Sequence, residues 1–248
     1  MSSLRGLGCL PDAPYARGSH DLWGVVGMTS SINGWTDLTP LCDTPPDQGG
    51  TETCYAQSAS SAIMIAGRRT NPTFSRPSRL LIADMARGVA GMRGTDIGCS
   101  IGATLQGVAA GGFCAESDCP WDESEVLQHR YADEYQAAIL QVGLRTHRAI
   151  GDFRSIARAA LAAGRGIIAT TDADQSLQDW QGGGIWPGIS GPKKGGHAQT
   201  VVFGDDDSAK VFGSWGPWFA DGGFMRIAWT AINGLWIVDA APEYWRES

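Results

Sequence analysis

Cys54 lies six residues after Gln48 in the run Asp47-Gln48-Gly49-Gly50-Thr51-Glu52-Thr53-Cys54-Tyr55-Ala56, and His197 follows far downstream in Gly195-Gly196-His197-Ala198, ahead of an apolar stretch. A thiol, an amide and an imidazole are the parts of nucleophilic acyl transfer. Sulfur attacks a carbonyl as thiolate, so chemistry at Cys54 requires a lowered thiol pKa. A helix N-terminus and a histidine cation are the usual means. His197 would take the thiol proton and return it to the leaving group. The Gln48 side-chain amide, held by the Gly49-Gly50 turn, and the Cys54 backbone N–H would bind the oxyanion. A cysteine ahead of an apolar helix is more often a small buried hydrophobe, and a histidine beside a strand is more often structural. The weight rests on their coincidence.

These groups need elements to hold them. From Cys54 to Ala66 the chain is alanine-rich and free of Gly and Pro, with apolar residues at 55, 59, 62, 63 and 66. That pattern predicts a helix with one buried face, beginning at the cysteine, whose unpaired first-turn amides and dipole favour a thiolate. Further helices are predicted over 78–87, 101–110, 123–142 and 155–163, the last ending at Gly164, with a loop over 111–122. Strands are predicted over 166–171, 199–204, 210–214, 223–229 and 235–239, with Asp205-Asp206-Asp207-Ser208 as a hairpin turn. Helices precede strands. Cys54 would then lie on a helical wall and His197 on a sheet wall of one cleft.

With these residues in view, the chain resembles the papain-type (C1) cysteine peptidases over 36–229. Gln48, Gly49, Cys54, Tyr55 and Ala56 match the Gln-Gly…Cys-(Trp/Tyr)-Ala box, and the long Cys-to-His spacing agrees. His197 and Ala198 match the His-Ala box. Gly213-Ser214-Trp215-Gly216-Pro217-Trp218 and Gly223-Phe224-Met225-Arg226-Ile227 match the Asn-Ser-Trp-Gly and Gly-(Tyr/Phe)-x-Arg-Ile boxes. Weaker echoes lie at 35–40, 98–102 and 182–186.

The resemblance implies an α+β papain-like fold, with a helical lobe at about 47–145, an antiparallel β lobe at about 150–240 and a cleft between them. Residues 36–248 would form the peptidase domain and 1–35 an N-terminal extension packed on it. The implied activity is peptide-bond hydrolysis through a Cys54 acyl-enzyme, with catalytic residues Cys54, His197 and Gln48 and no cofactor or metal. Gly102, Ala198, Trp215 and Glu52 would line the substrate site. Two positions depart from the family. Its imidazole-orienting Asn falls on Gly213, which has no side chain to accept a hydrogen bond from the ring, and Glu52 stands where many members carry Gly. A carboxylate facing the sulfur would raise the thiol pKa, whereas a solvated one would not. These departures suit an alternative: a papain-fold protein with a weak or silent site and a binding or structural role, such as a virion or tail component. A thiol amidase or transpeptidase on cell-wall peptides is disfavoured by the Ser-Trp-Gly box.

The chain has 248 residues, 43% of them hydrophobic, and a net charge of −7. That supports a substantial core and gives no nucleic-acid footprint, since no basic run exceeds Arg68-Arg69 or Lys193-Lys194. Lys193 and Lys194 read as solvated loop residues. No stretch reads as a signal peptide or membrane span, so a soluble protein is expected; no helical inhibitory prosegment fits ahead of Trp35, a layout that resembles bacterial or bacteriophage-encoded members of the family. The partner would be a peptide or protein substrate, or a larger protein assembly. With Cys54 reserved, five cysteines remain. Thr51 stands where the family's bridge to Cys99 needs a cysteine. Cys114 could pair with Cys119, and Cys9 with Cys42; zinc is disfavoured because no C-x-x-C pair occurs.

Overall fold

The computed structural model describes residues 5–12, 34–128 and 144–240. Its axis is α1 (Cys54–Arg68), buried from Cys54 through Gly67. The sequence predicts one buried face, but this helix is covered all round, because its Ala and Ser side chains let neighbours approach closely. On one side pack α2 (Arg79–Ala90) and α3 (Ile101–Gly111); on the other lies the sheet. A Cβ on Gly166 would overlap the Ala62 carbonyl, which shows how close the sheet comes. Two of its serine hydroxyls pair with the chain that follows: Ser60 Oγ donates to Pro77 O at 2.6 Å, and Ser61 Oγ accepts from Arg76 Nη1 at 3.0 Å.

Side-chain caps set the other helix starts. Ser78 accepts from Leu81 N ahead of α2, Ser100 from Ala103 N ahead of α3, and Asp152 from Arg154 N ahead of α4 (Phe153–Ala162). Gly164, at φ 68°, ends α4 in the conformation glycine adopts without strain. The predicted helix over 123–142 opens only as a 3-10 turn, Glu123–Glu125, and its part from 129 lies outside the described residues.

Seven strands form one sheet among the described residues: β1 (Arg145–Arg148), β2 (Gly166–Ala173), β3 (Ile185–Trp186), β4 (Gly195–Gly204), β5 (Ser208–Phe212), β6 (Phe224–Ala228) and β7 (Ile232–Asp239). Their order is β1-β7-β2-β4-β5-β6-β3, antiparallel except for the β3–β6 pair. A one-turn helix, α5 (Gln175–Gln178), follows β2. The predicted hairpin turn forms between β4 and β5, with Asp205 Oδ1 accepting from Asp207 N and Ser208 N. β4 begins at Gly195 rather than at 199, so His197 sits inside a strand.

Alternation along β4 then sorts its side chains. Thr200 faces α1, where its Oγ1 donates to Ser58 O at 3.0 Å, and Ala198 packs in the α1 cluster. His197, Gln199 and Val201 point to the opposite face. The apolar interior divides accordingly, one cluster around α1, α2 and α3 and another between the sheet and α4. Among the described residues no helix is long and apolar enough to cross a membrane.

Candidate active site

Cys54 is the first residue of α1, with Thr53 at the N-cap. Full burial pushes its thiol up to about 12, outweighing the nearby backbone N–H groups of Ala198, Gly8 and Tyr55, which favour the thiolate. The Glu52 carboxylate adds to the rise. In this state Cys54 is a neutral thiol.

His197 is equally buried and stacks on Trp215, with ring centroids 4.2 Å apart and planes at 23°. Burial lowers its imidazole to about 3, so it too is neutral. Neither ring nitrogen has a hydrogen-bond partner, and no bond joins it to the Cys54 sulfur. Gly213 follows β5 without positive φ, its N–H donating to Gly223 O at 2.9 Å, and it offers the imidazole no side chain.

Gln48 is fully buried. Its Nε2 donates to Thr51 O at 2.6 Å and to Gly6 O at 3.2 Å, while Oε1 accepts from Ser214 Oγ at 2.6 Å. Glu52 is half-buried, its Oε2 accepting from Leu7 N at 2.9 Å and its own N–H donating to Asp96 Oδ2. Burial raises this carboxyl above its ordinary value. Glu52 therefore faces the cleft as a backbone acceptor. Gly102, in the first turn of α3, donates its N–H to Asp12 Oδ1 at 2.7 Å.

Gly6, Leu7 and Asp12 belong to one segment, and it fills the cleft. Residues 5–12 run between the two walls, with Gly8 forming an isolated parallel bridge to Gly196 and Cys9 to Cys99. Cys99 N donates to Gly8 O at 2.8 Å, Leu10 N to Cys99 O at 3.1 Å and Cys9 N to Gly196 O at 3.1 Å. Gln178 Nε2 holds Arg5 O, and the Arg5 guanidinium lies over Trp215 and Phe219. The segment is glycine-rich for a steric reason: a Cβ on Gly6 would overlap Thr51 O, and one on Gly8 would overlap Glu52 O. The Gly8 backbone N–H is thus among the groups that favour the Cys54 thiolate.

The sequence reading missed this occupant; it read 98–102 as a cleft segment and chose Gly102 there, whereas the backbone pairing is made by Cys99 and Gly102 N–H meets the Asp12 side chain. Nothing in residues 5–12 alternates or caps, so only their pairing with distant segments reveals them. The cysteine pairings expected are not formed, since all six are free thiols. Cys9 lies in the cleft and Cys42 beside Leu38 in a different cluster, so those two do not meet. Cys114 and Cys119 lie in one buried cluster as free thiols. Lys193 reaches Asp172 at 2.7 Å on the half-exposed rim. No group of three metal-ligating side chains occurs among the described residues.

No protein-family model and no curated protein matches this chain. Solved structures do. Xylellain, a cysteine protease from Xylella fastidiosa, superposes with a TM-score of 0.74 at 20% identity over 96% of this chain and 97% of its own. Procathepsin B of Trypanosoma congolense gives 0.75 at 14% identity, covering 96% of this chain and 87% of its own. The Carica candamarcensis cysteine protease CMS1MS2, solved in complex with E-64, gives 0.71 at 19% identity over 84% of this chain and 99% of its own. The fold is that of the papain-like cysteine proteases.

Proposed function

We propose that the protein is a cysteine peptidase whose cleft is closed by its own residues 5–12. On displacement of that segment, Cys54 attacks a peptide carbonyl, His197 takes its proton and later returns it to the leaving amine, and Gln48 Nε2 with the Cys54 N–H binds the oxyanion. One observation carries this reading. Backbone groups of Cys99 and Gly196, with the Gln48 amide, already bind a peptide segment directly over the thiol. A groove that holds one peptide backbone suits another, and the solved relatives of this shape are cysteine proteases.

Closure supplies the reason for the neutral pair. Water is excluded, so desolvation raises the thiol and lowers the imidazole, and the ion pair needed for attack is unfavourable. Opening rehydrates both groups and moves both pKa values toward each other's range. Peptide hydrolysis by the full chain, with Gly8→Val to displace the segment and Cys54→Ala as control, tests the proposal. Cleavage should rise in Gly8→Val and vanish in the control. A folded Gly8→Val chain with no cleavage above the control would favour the binding or structural role.

A further inference from the structure

Near Gly213 stands a residue that the acyl-transfer scheme leaves unused. The β4–β5 register pairs Thr200 with Phe212. The ladder ends there; carried past the end of β5, the same spacing would bring Gln199 beside Gly213 and His197 beside Trp215, in keeping with the stacked His197 and Trp215 rings. Opposed residues share a face in an antiparallel pair, as do residues two apart on one strand. Gln199 therefore stands on the His197 face of β4, about 7 Å along the strand, within reach of a three-torsion side chain.

Gln199 is 2% exposed, and its Oε1 has no hydrogen-bond partner. Its amide nitrogen is spent on a weak bond to Met225 Sδ at 3.5 Å. Both His197 ring nitrogens, two residues away, are also buried and unpaired. Buried polar atoms without partners are rare and call for a reason. Here an unused acceptor and an unused N–H donor sit on one face of one strand. A Cβ on Gly213 would meet one neighbour, the backbone Gly223 O, at a tight 3.2 Å, so position 213 itself carries no side chain toward the ring.

We infer that Gln199 is the positioning residue for His197, its Oε1 accepting from the imidazole N–H that faces away from Cys54. This rests on the peptidase reading for its purpose. Fixing the acceptor on one ring nitrogen leaves the other free to take the Cys54 proton, so the tautomer and the ring plane are set together. The missing side chain at 213 is thus compensated from the neighbouring strand.

The test uses full chains carrying Gly8→Val to open the cleft, with 15N-labelled histidine and His197→Phe for assignment. An exchange-protected His197 ring N–H resonance should be present, be lost in Gln199→Leu and in the more isosteric Gln199→Met, and return when Gly213→Asn is added. Iodoacetamide alkylation of Cys54, mapped by mass spectrometry, should lose its neutral-pH component by roughly ten- to a hundredfold in the same variants and recover with Gly213→Asn. A merely structural glutamine would shift melting without shifting that pH profile. An unchanged resonance and profile in either folded variant overturns the inference. If Cys54 is unreactive in every chain, the peptidase reading falls, while the resonance still decides whether Gln199 holds the ring.

Discussion

At the residue scale, the acidic side chain beside the nucleophile has two effects of opposite use. Glu52 accepts from Leu7 N and so ties down the segment, and its charge raises the Cys54 thiol. Glu52→Gln keeps an acceptor oxygen and removes the charge, so the alkylation midpoint of Cys54 should fall while the segment stays seated. Glu52→Ala removes the tie as well, at about 1 kcal/mol for a half-exposed hydrogen bond, and should speed alkylation several-fold beyond Glu52→Gln. Iodoacetamide kinetics against pH separate the two. Equal behaviour of both variants would mean that the carboxylate does not hold Leu7. Sequence alone left Glu52 open between solvent and sulfur, because the deciding partner, the Leu7 amide, is far away in the chain.

At the scale of elements, α1 was readable because its alanine-rich run and start at Cys54 are local facts. Its all-round burial was not, since that depends on what packs against both sides. β4 shows the same division. The apolar run marks a strand, but Gly195 and Gly196 carry no strand signal and join it only because β2 and the cleft segment border them. The short strands β1 and β3 were unread for want of alternation. For the cleft segment the prediction is steric. Gly6→Val or Gly8→Val must expel it, whereas Leu10→Val leaves it in place, and protease digestion within residues 5–12 should accelerate at least about tenfold in the first two, following loss of a locally closed state. Digestion at the parent rate in Gly8→Val would show that the segment is held some other way.

Across the whole molecule, the two-walled α+β fold was legible from the order of helices before strands and from three boxes in register. The closed state was not. Its signature is titration. The folded His197 imidazole lies near 3 and the unfolded one near 6.5, so between these values the unfolded chain binds the extra proton. This contribution to stability is complete above pH 6.5 and is lost as pH falls toward 3, about 2 kcal/mol of it by pH 5. His147, lowered by burial and by Arg165, works in the same direction. Glu52, raised by burial, works oppositely: its contribution is present below 4.5 and is lost as pH rises through its folded value, and partial exposure screens it. Thermal melts should therefore fall from pH 6.5 to 5 in the parent and be flatter in His197→Phe. Equal slopes would remove His197 as the group responsible.

The central claim, a competent thiol under a self-supplied cover, is tested most directly by site-mapped labelling with an epoxide thiol-protease inhibitor on the full chain and on Gly8→Val. Cys54 should be the residue modified, at least about tenfold faster in Gly8→Val than in the parent. Preferential modification of another cysteine, or an unlabelled Cys54 in a folded Gly8→Val chain, would contradict it.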